Sequence, residues 1–198
     1  MEIFIPKQVA TPGRGKVCDF LIMSYKDELT NAMTFLAKLP NTIFIGQSVA
    51  YPGNAIYKTL AGVPVEKKIE LPVMEEAQMG MSIGMALTGK IVISIYPRFD
   101  FLLLAVNQLV NHLDKLRDYT HGEYSARVII RVGIGATEPM YPGVQHCGDY
   151  TEAFKMMLKN INVVKLESCE QIIPAYEHAY NSEGSSLIVE DTNLYRME

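Results

Sequence analysis

A chain of 198 residues, 48% hydrophobic and 20% charged, can bury one substantial core and reads as a single soluble domain. Its net charge of -4 gives no general basic footprint for nucleic acid or an anionic membrane. No apolar run reaches transmembrane length and the start, Met1-Glu2-Ile3-Phe4-Ile5-Pro6-Lys7, lacks a signal-peptide pattern, so a cytoplasmic protein is expected. Cys18, Cys147 and Cys169 are odd in number, lack a metal-ligand spacing and are expected to be reduced thiols.

Residues 1–22 hold Pro6, Pro12, Gly13 and Gly15 beside Phe20-Leu21-Ile22, and are expected to form an extension ahead of one domain over 23–198. Ser24 is placed to cap a helix in which Leu29, Met33, Leu36 and Ala37 recur at helical spacing up to Lys38. Thr42 to Val49 reads as a buried strand and Tyr51 to Val65, rich in Gly and Pro, as a loop. Glu70 to Leu87 reads as a helix ended by Gly89. Ile91 to Ile95 is a β-branched strand, Phe101 to Arg117 a long helix and Arg127 to Val132 another strand. A long loop, Gly133 to His146, follows; its length favours a functional role over mere linkage. Then come a helix from Thr151, a strand from Asn162, a helix from Glu170 and a last strand from Ser186 to Glu190. Apolar strands alternating with helices predict an α/β three-layer sandwich with a mostly parallel sheet. In such a sheet ligands gather at the carboxyl ends of the strands, where Glu75, Phe99, Phe101 and His146 fall.

The segment Leu71-Pro72-Val73-Met74-Glu75-Glu76 sets an acidic pair at the mouth of a helix whose next residues are apolar or small. Pro72 suits a helix entry, and the macrodipole favours carboxylates in the first turn. A carboxylate held there against apolar surroundings would have its pKa raised and make a useful proton partner; an ordinary buried helix with an acidic first turn is the plainer reading. Gly80 and Gly84, four apart, lie on one helix face where another element can approach closely.

The same window carries a resemblance. Leu71-Pro72-Val73-x-Glu75, then Gly80-x-x-x-Gly84-x-Ala86, resembles the cofactor-glutamate segment of the beta subunits of thiamine-diphosphate-dependent 2-oxoacid dehydrogenases, members of the transketolase-like pyrimidine-binding superfamily. Phe99-Asp100-Phe101 looks like the aromatic-x-aromatic motif of that family, at a matching spacing from Glu75. Asn107 to Asn111, Val128 to Arg131, Gln145-His146 and Val189 to Arg196 resemble its later segments, and Ile43 to Gly46 its opening strand. Order and spacing together make the match specific from about Tyr25 onward.

The resemblance implies thiamine diphosphate as cofactor. Its aminopyrimidine must remove the thiazolium proton, and a carboxyl group on the pyrimidine ring nitrogen stabilises the tautomer that does so. Glu75 aligns with that catalytic glutamate and Phe101 with the aromatic that stacks on the pyrimidine; core packing is the alternative for Phe101. Phe99 and Gln47 are carried over as cofactor contacts. His146 aligns with a catalytic histidine that orients substrate or stabilises charge. Gln47 and Ser48 replace a usual acidic pair, Glu76 a small residue and Gly133 a proline. The Gly-Asp-Gly…Asn signature that holds Mg2+ and the diphosphate is absent from the sequence, so no metal ligand is expected here. Those groups are expected on a diphosphate-binding alpha-type subunit, in an alpha2beta2 heterotetramer acting on a small-molecule substrate. Family beta subunits continue into a second domain beyond the segment matching Leu194-Tyr195-Arg196, which argues against a standard multienzyme complex. Decarboxylation or two-carbon or acyl transfer from a 2-oxo acid or ketose is the expected chemistry; a non-catalytic regulatory or scaffolding relative is the alternative.

Overall fold

Apolar residues one turn apart build the first helix. α1 (Tyr25–Lys38) is capped by Ser24, whose hydroxyl accepts from the Asp27 amide at 3.2 Å, and it buries Leu29, Ala32, Met33 and Leu36. The computed structural model describes residues 23–135 and 141–196; the expected extension over 1–22 and part of the loop after Gly133 lie outside them. Among the described residues six strands follow: β1 (Thr42–Gly46), β2 (Lys68–Glu70), β3 (Ile91–Tyr96), β4 (Arg127–Ile134), β5 (Asn162–Leu166) and β6 (Ser186–Asp191). They form one sheet in the order β2-β1-β3-β4-β6-β5, and every pairing is parallel.

Further along the chain, α2 (Glu75–Leu87) precedes β3, and an irregular helical stretch spans β3 to β4. That stretch comprises α3 (Phe99–Leu102), a 3₁₀ turn, a π-helical segment (Gln108–Leu113) and α4 (Leu116–Tyr119). α5 (Thr151–Met157) and α6 (Ile172–Asn181) complete the set. Because successive strand residues point to opposite faces, the sheet builds two cores. Ile93, Ile129 and Ile188 pack under α1 and α6, whereas Val92, Val128, Ile130 and Val189 pack under α2, the irregular helix and α5. This is the expected three-layer α/β sandwich with a parallel sheet.

Several expectations differ: the long helix expected over Phe101 to Arg117 is the broken stretch described above, the expected loop after Tyr51 holds a 3₁₀ helix (Ile56–Leu60), and two boundaries move. The helix expected from Glu70 starts at Glu75, and Lys68–Glu70 instead forms a sixth, edge strand on β1. The residue before a proline avoids helical backbone, so Pro72 delays the helix. The first strand stops at Gly46 rather than Val49 because Ser48 takes a positive φ of 56°. Of the thiols expected to be reduced, Cys147 is free while Cys169 is disulfide-bonded. No helix among the described residues is long and apolar enough to cross a membrane.

Under α1 and α6 lies a fully buried ion pair. Arg131 on β4 donates from Nε and, at 2.8 Å, from Nη2 to the Glu190 carboxylate on β6, and Nη2 also donates to Thr59 Oγ1 at 2.8 Å. The hydroxyls of Tyr176 and Tyr195 donate to the same carboxylate. Burial alone would lower the Arg131 guanidinium, but the adjacent Glu190 charge holds it well above its ordinary value. Burial first, then the Glu190 charge, pushes the Tyr176 and Tyr195 phenols far up as well. These phenols stay protonated in the folded chain while their unfolded counterparts ionise near pH 10. Stability is therefore fully present below about pH 10 and falls above it, by about 1.4 kcal/mol per pH unit for each such tyrosine. Urea midpoints measured between pH 8 and 11.5 should fall steeply only at the alkaline end; a flat profile would exclude these phenols as the cause.

Candidate functional site

The carboxyl ends of the strands define one edge of the sheet, and the residues singled out above gather along it. Gln47 follows β1 in a turn held by Glu70, whose carboxylate accepts from the amides of Ser48, Val49 and Ala50 at 2.6, 2.8 and 2.7 Å. Glu75 opens α2. Tyr96, the last residue of β3, donates from its hydroxyl to the Glu75 carbonyl at 3.2 Å and so ties the helix entry to the strand end. Gln78, one turn on, reaches back with its amide to Ser94 Oγ at 3.1 Å and the Ile95 carbonyl at 3.0 Å, and Ser82 joins the same group. These bonds fix the rotation of α2 about its axis, so that Glu75 faces inward.

Glu75 is only 8% exposed, and none of the described residues hydrogen-bonds its carboxylate. Burial raises the Tyr96 phenol well above its ordinary range, opposed by the Ser94 hydroxyl and reinforced by the Glu75 charge. Its two carboxylate oxygens are not among the fully buried unpartnered atoms; they reach the surface at the sheet edge, open to a ligand or partner. Glu76, next to it, is exposed and lies 3.4 Å from the Gln108 side-chain amide.

The run Arg98-Phe99-Asp100-Phe101 starts the helix after β3. Phe101 is half-buried and sets its ring edge-on to the His146 imidazole, with centroids 5.7 Å apart at 76°. Phe99 points the other way. It is fully buried, with its ring 5.6 Å from Tyr150 and 4.9 Å from Phe154, and belongs to the core under α5. Residues two apart on a helix diverge by about 200°, which separates the two aromatics. His146, in the 3₁₀ turn Val144–His146, has a buried Nδ1 without a hydrogen-bond partner. The structure thus brings Phe101 and His146 together, holds Glu75 and Gln47 at the neighbouring strand ends, and leaves Phe99 outside this group. No group of three or more His, Cys, Asp or Glu able to hold a metal ion occurs among the described residues. Three open surface clefts of 340 to 440 Å³ are lined by residues other than Glu75, Phe101 and His146.

Compared with known proteins, residues 23–198 match the family described as "Transketolase, pyrimidine binding domain". The chain belongs to that family. Among curated members related to this transketolase pyrimidine-binding chain, "Pyruvate dehydrogenase E1 component subunit beta" from Cyanidium caldarium is 29% identical over 174 residues, covering 82% of this chain and 47% of that protein. "2-oxoisovalerate dehydrogenase subunit beta" from Bacillus subtilis is 29% identical over 119 residues, covering 58% of this chain and 36% of that one. The chain spans about half or less of the length of these relatives. A solved structure titled "Split gene transketolase, inactive beta4 tetramer" superposes with a TM-score of 0.60 at 17% identity, covering 86% of this chain and 52% of that chain, which supports the fold. Three supports of this transketolase-type edge left no trace in the sequence: the Glu70 cradle, the Gln78–Ser82–Ser94 network and the tie from Tyr96 to Glu75. Each rests on contacts between residues at least 12 apart in sequence.

Proposed function

We propose that this chain is the pyrimidine-binding half of a split thiamine-diphosphate enzyme acting on a 2-oxo acid or a ketose donor. The observation that carries the reading is Glu75, a largely buried residue whose carboxylate, bonded by no described residue, reaches the surface on the edge where Phe101 and His146 meet. These residues fit the cofactor. Glu75 supplies a free hydrogen-bonding carboxyl group, Phe101 an aromatic face, and the turn bearing Gln47 a neutral polar side chain. When bound, thiamine diphosphate supplies a nucleophilic carbon for cleaving a bond next to a carbonyl. Glu75 holds a proton or a ring nitrogen in place, and His146 orients the substrate carbonyl or stabilises charge developing on it.

The unpartnered Glu75 carboxylate at the surface of this edge supports a partner. A diphosphate-binding subunit would bring the Mg2+ ligands and the second wall, and the names of the curated relatives, each a subunit beta, agree with a divided enzyme. The outward face of α2 is a candidate for the contact: Ala77, Met81, Gly84 and Leu87 are exposed along it, beside exposed Leu103 and Leu104. A Cβ built on Gly84 would meet nothing within 4 Å. Gly84→Ala should therefore stabilise the isolated chain by about 1 kcal/mol through helix propensity. Gly84→Phe should leave it folded but abolish assembly; light scattering on both variants checks this, and a complex that still forms would move the contact elsewhere.

The test of the reading is a mild pull-down from native cells, with mass spectrometry of the captured chains and a thiamine-diphosphate assay of the complex. A stoichiometric partner with bound cofactor supports it. A chain that comes alone and without cofactor supports the alternative, a non-catalytic relative, to which the neutral Gln47 also points.

A further inference from the structure

We propose that Arg98 and Asp100 are positioning residues for His146, clamping the segment 146–150 onto the helix that carries Phe101. The proposal rests on the reading of His146 as a site residue and adds to it what fixes the imidazole. Each member of the run Arg98-Phe99-Asp100-Phe101 touches that segment. Arg98 donates from Nη1 to the His146 carbonyl at 2.8 Å. Asp100 accepts from the Gly148 amide at 3.3 Å and from the Tyr150 hydroxyl at 3.1 Å. Phe99 backs the Tyr150 ring edge-on, and Phe101 meets the His146 ring. His146 thus has its carbonyl tied on one side and its ring braced on the other, while a few residues on the chain is pinned by a carboxylate.

The fit at Gly148 is tight. A Cβ there would lie 2.4 to 2.5 Å from the Tyr150 ring and hydroxyl, so the clamp closes only because this position lacks a side chain. The segment contributes little regular structure of its own, only the single turn ending at His146. A short irregular loop holds an imidazole in one orientation only if outside groups remove its freedom, because ordering each backbone residue costs about 1–2 kcal/mol. A charged donor and a charged acceptor are suited to this, since charge-assisted hydrogen bonds are roughly twice as strong as neutral ones. Both residues are half-buried rather than core, so altering them should leave the two cores intact.

The test is nuclear magnetic resonance of the full chain with labelled histidine and phenylalanine, reading the contact between the His146 and Phe101 rings. In the parent chain a strong inter-ring cross-peak is expected. Arg98→Ala, Asp100→Ala and Gly148→Ala should each lose the cross-peak, while Arg98→Lys and Asp100→Asn, which keep a donor and an acceptor, restore most of it. Thermal melting of each variant excludes global unfolding as the cause. A cross-peak unchanged in both alanine variants of the clamp would overturn the proposal. This readout needs neither cofactor nor partner. If instead the clamp signals behave as expected but His146→Ala leaves the activity of the assembled complex unchanged, the positioning stands and the catalytic reading of His146 fails.

Discussion

Glu75→Gln is expected to leave a folded chain whose assembled complex has lost thiamine-dependent turnover by on the order of 10²–10⁴-fold, the usual range for a positioned acid–base group. Glutamine has the shape of glutamate but can neither hold nor release the carboxyl proton. The fold should not register the change. The tie between β3 and α2 runs from the Tyr96 hydroxyl to the Glu75 carbonyl, and the side chain takes part in no hydrogen bond among the described residues. Because the carboxylate oxygens reach the surface, neutralising them should change stability by less than about 0.5 kcal/mol. The measurements are the turnover of the complex, a thiamine-diphosphate titration of it, and the melting temperature of the isolated chain. Unchanged turnover would sink the role given to Glu75; a lost fold would show instead that this carboxylate is structural.

The largest effect on stability is expected at the opposite face of the sheet. Glu190→Gln leaves the Arg131 guanidinium fully buried without a counter-charge, and weakens the acceptor shared by Tyr176 and Tyr195. Removing one partner of a buried ion pair costs about 3–5 kcal/mol. Against a total stability of about 5–15 kcal/mol, that threatens folding at physiological temperature. The double variant Arg131→Met, Glu190→Leu removes both charges and should recover part of the loss, because the desolvation of each ion is relieved while the Tyr176 and Tyr195 hydroxyls lose their acceptor. Urea midpoints of the single and double variants decide. A loss under about 1 kcal/mol in Glu190→Gln would mean that water or a rearranged tyrosine compensates the arginine.

What the sequence made legible was periodic. The apolar spacing of α1, the β-branched runs of β3 and β4 and the alternation of strand with helix led to a parallel sheet with two covered faces. Lys68-Ile69-Glu70 escaped because three residues carry no period, and the apolar window beginning at Leu71 drew the helix back over them. Glu75, Phe101 and His146 were reached through motif spacing, and spacing cannot say which way a side chain faces; Phe99 differs from Phe101 only in its angle about the helix. Nothing in the sequence pairs Arg131 with Glu190, because their partnership spans 59 residues. The same holds for Arg98 and Asp100, each meeting its partner about fifty residues away.

The strand order has a consequence for how the chain is made. All pairings are parallel, so no two strands can zip together through a tight turn, and each waits for a crossover to close. Of the six described strands β6 is made last, yet it sits inside the sheet between β4 and β5. Until it arrives, both of those strands present open edges and Arg131 has no carboxylate to meet. A nascent chain stalled before Ser186 should therefore be the species most prone to aggregate and to call on chaperones, and the insertion of β6 should be the step that commits the whole domain at once.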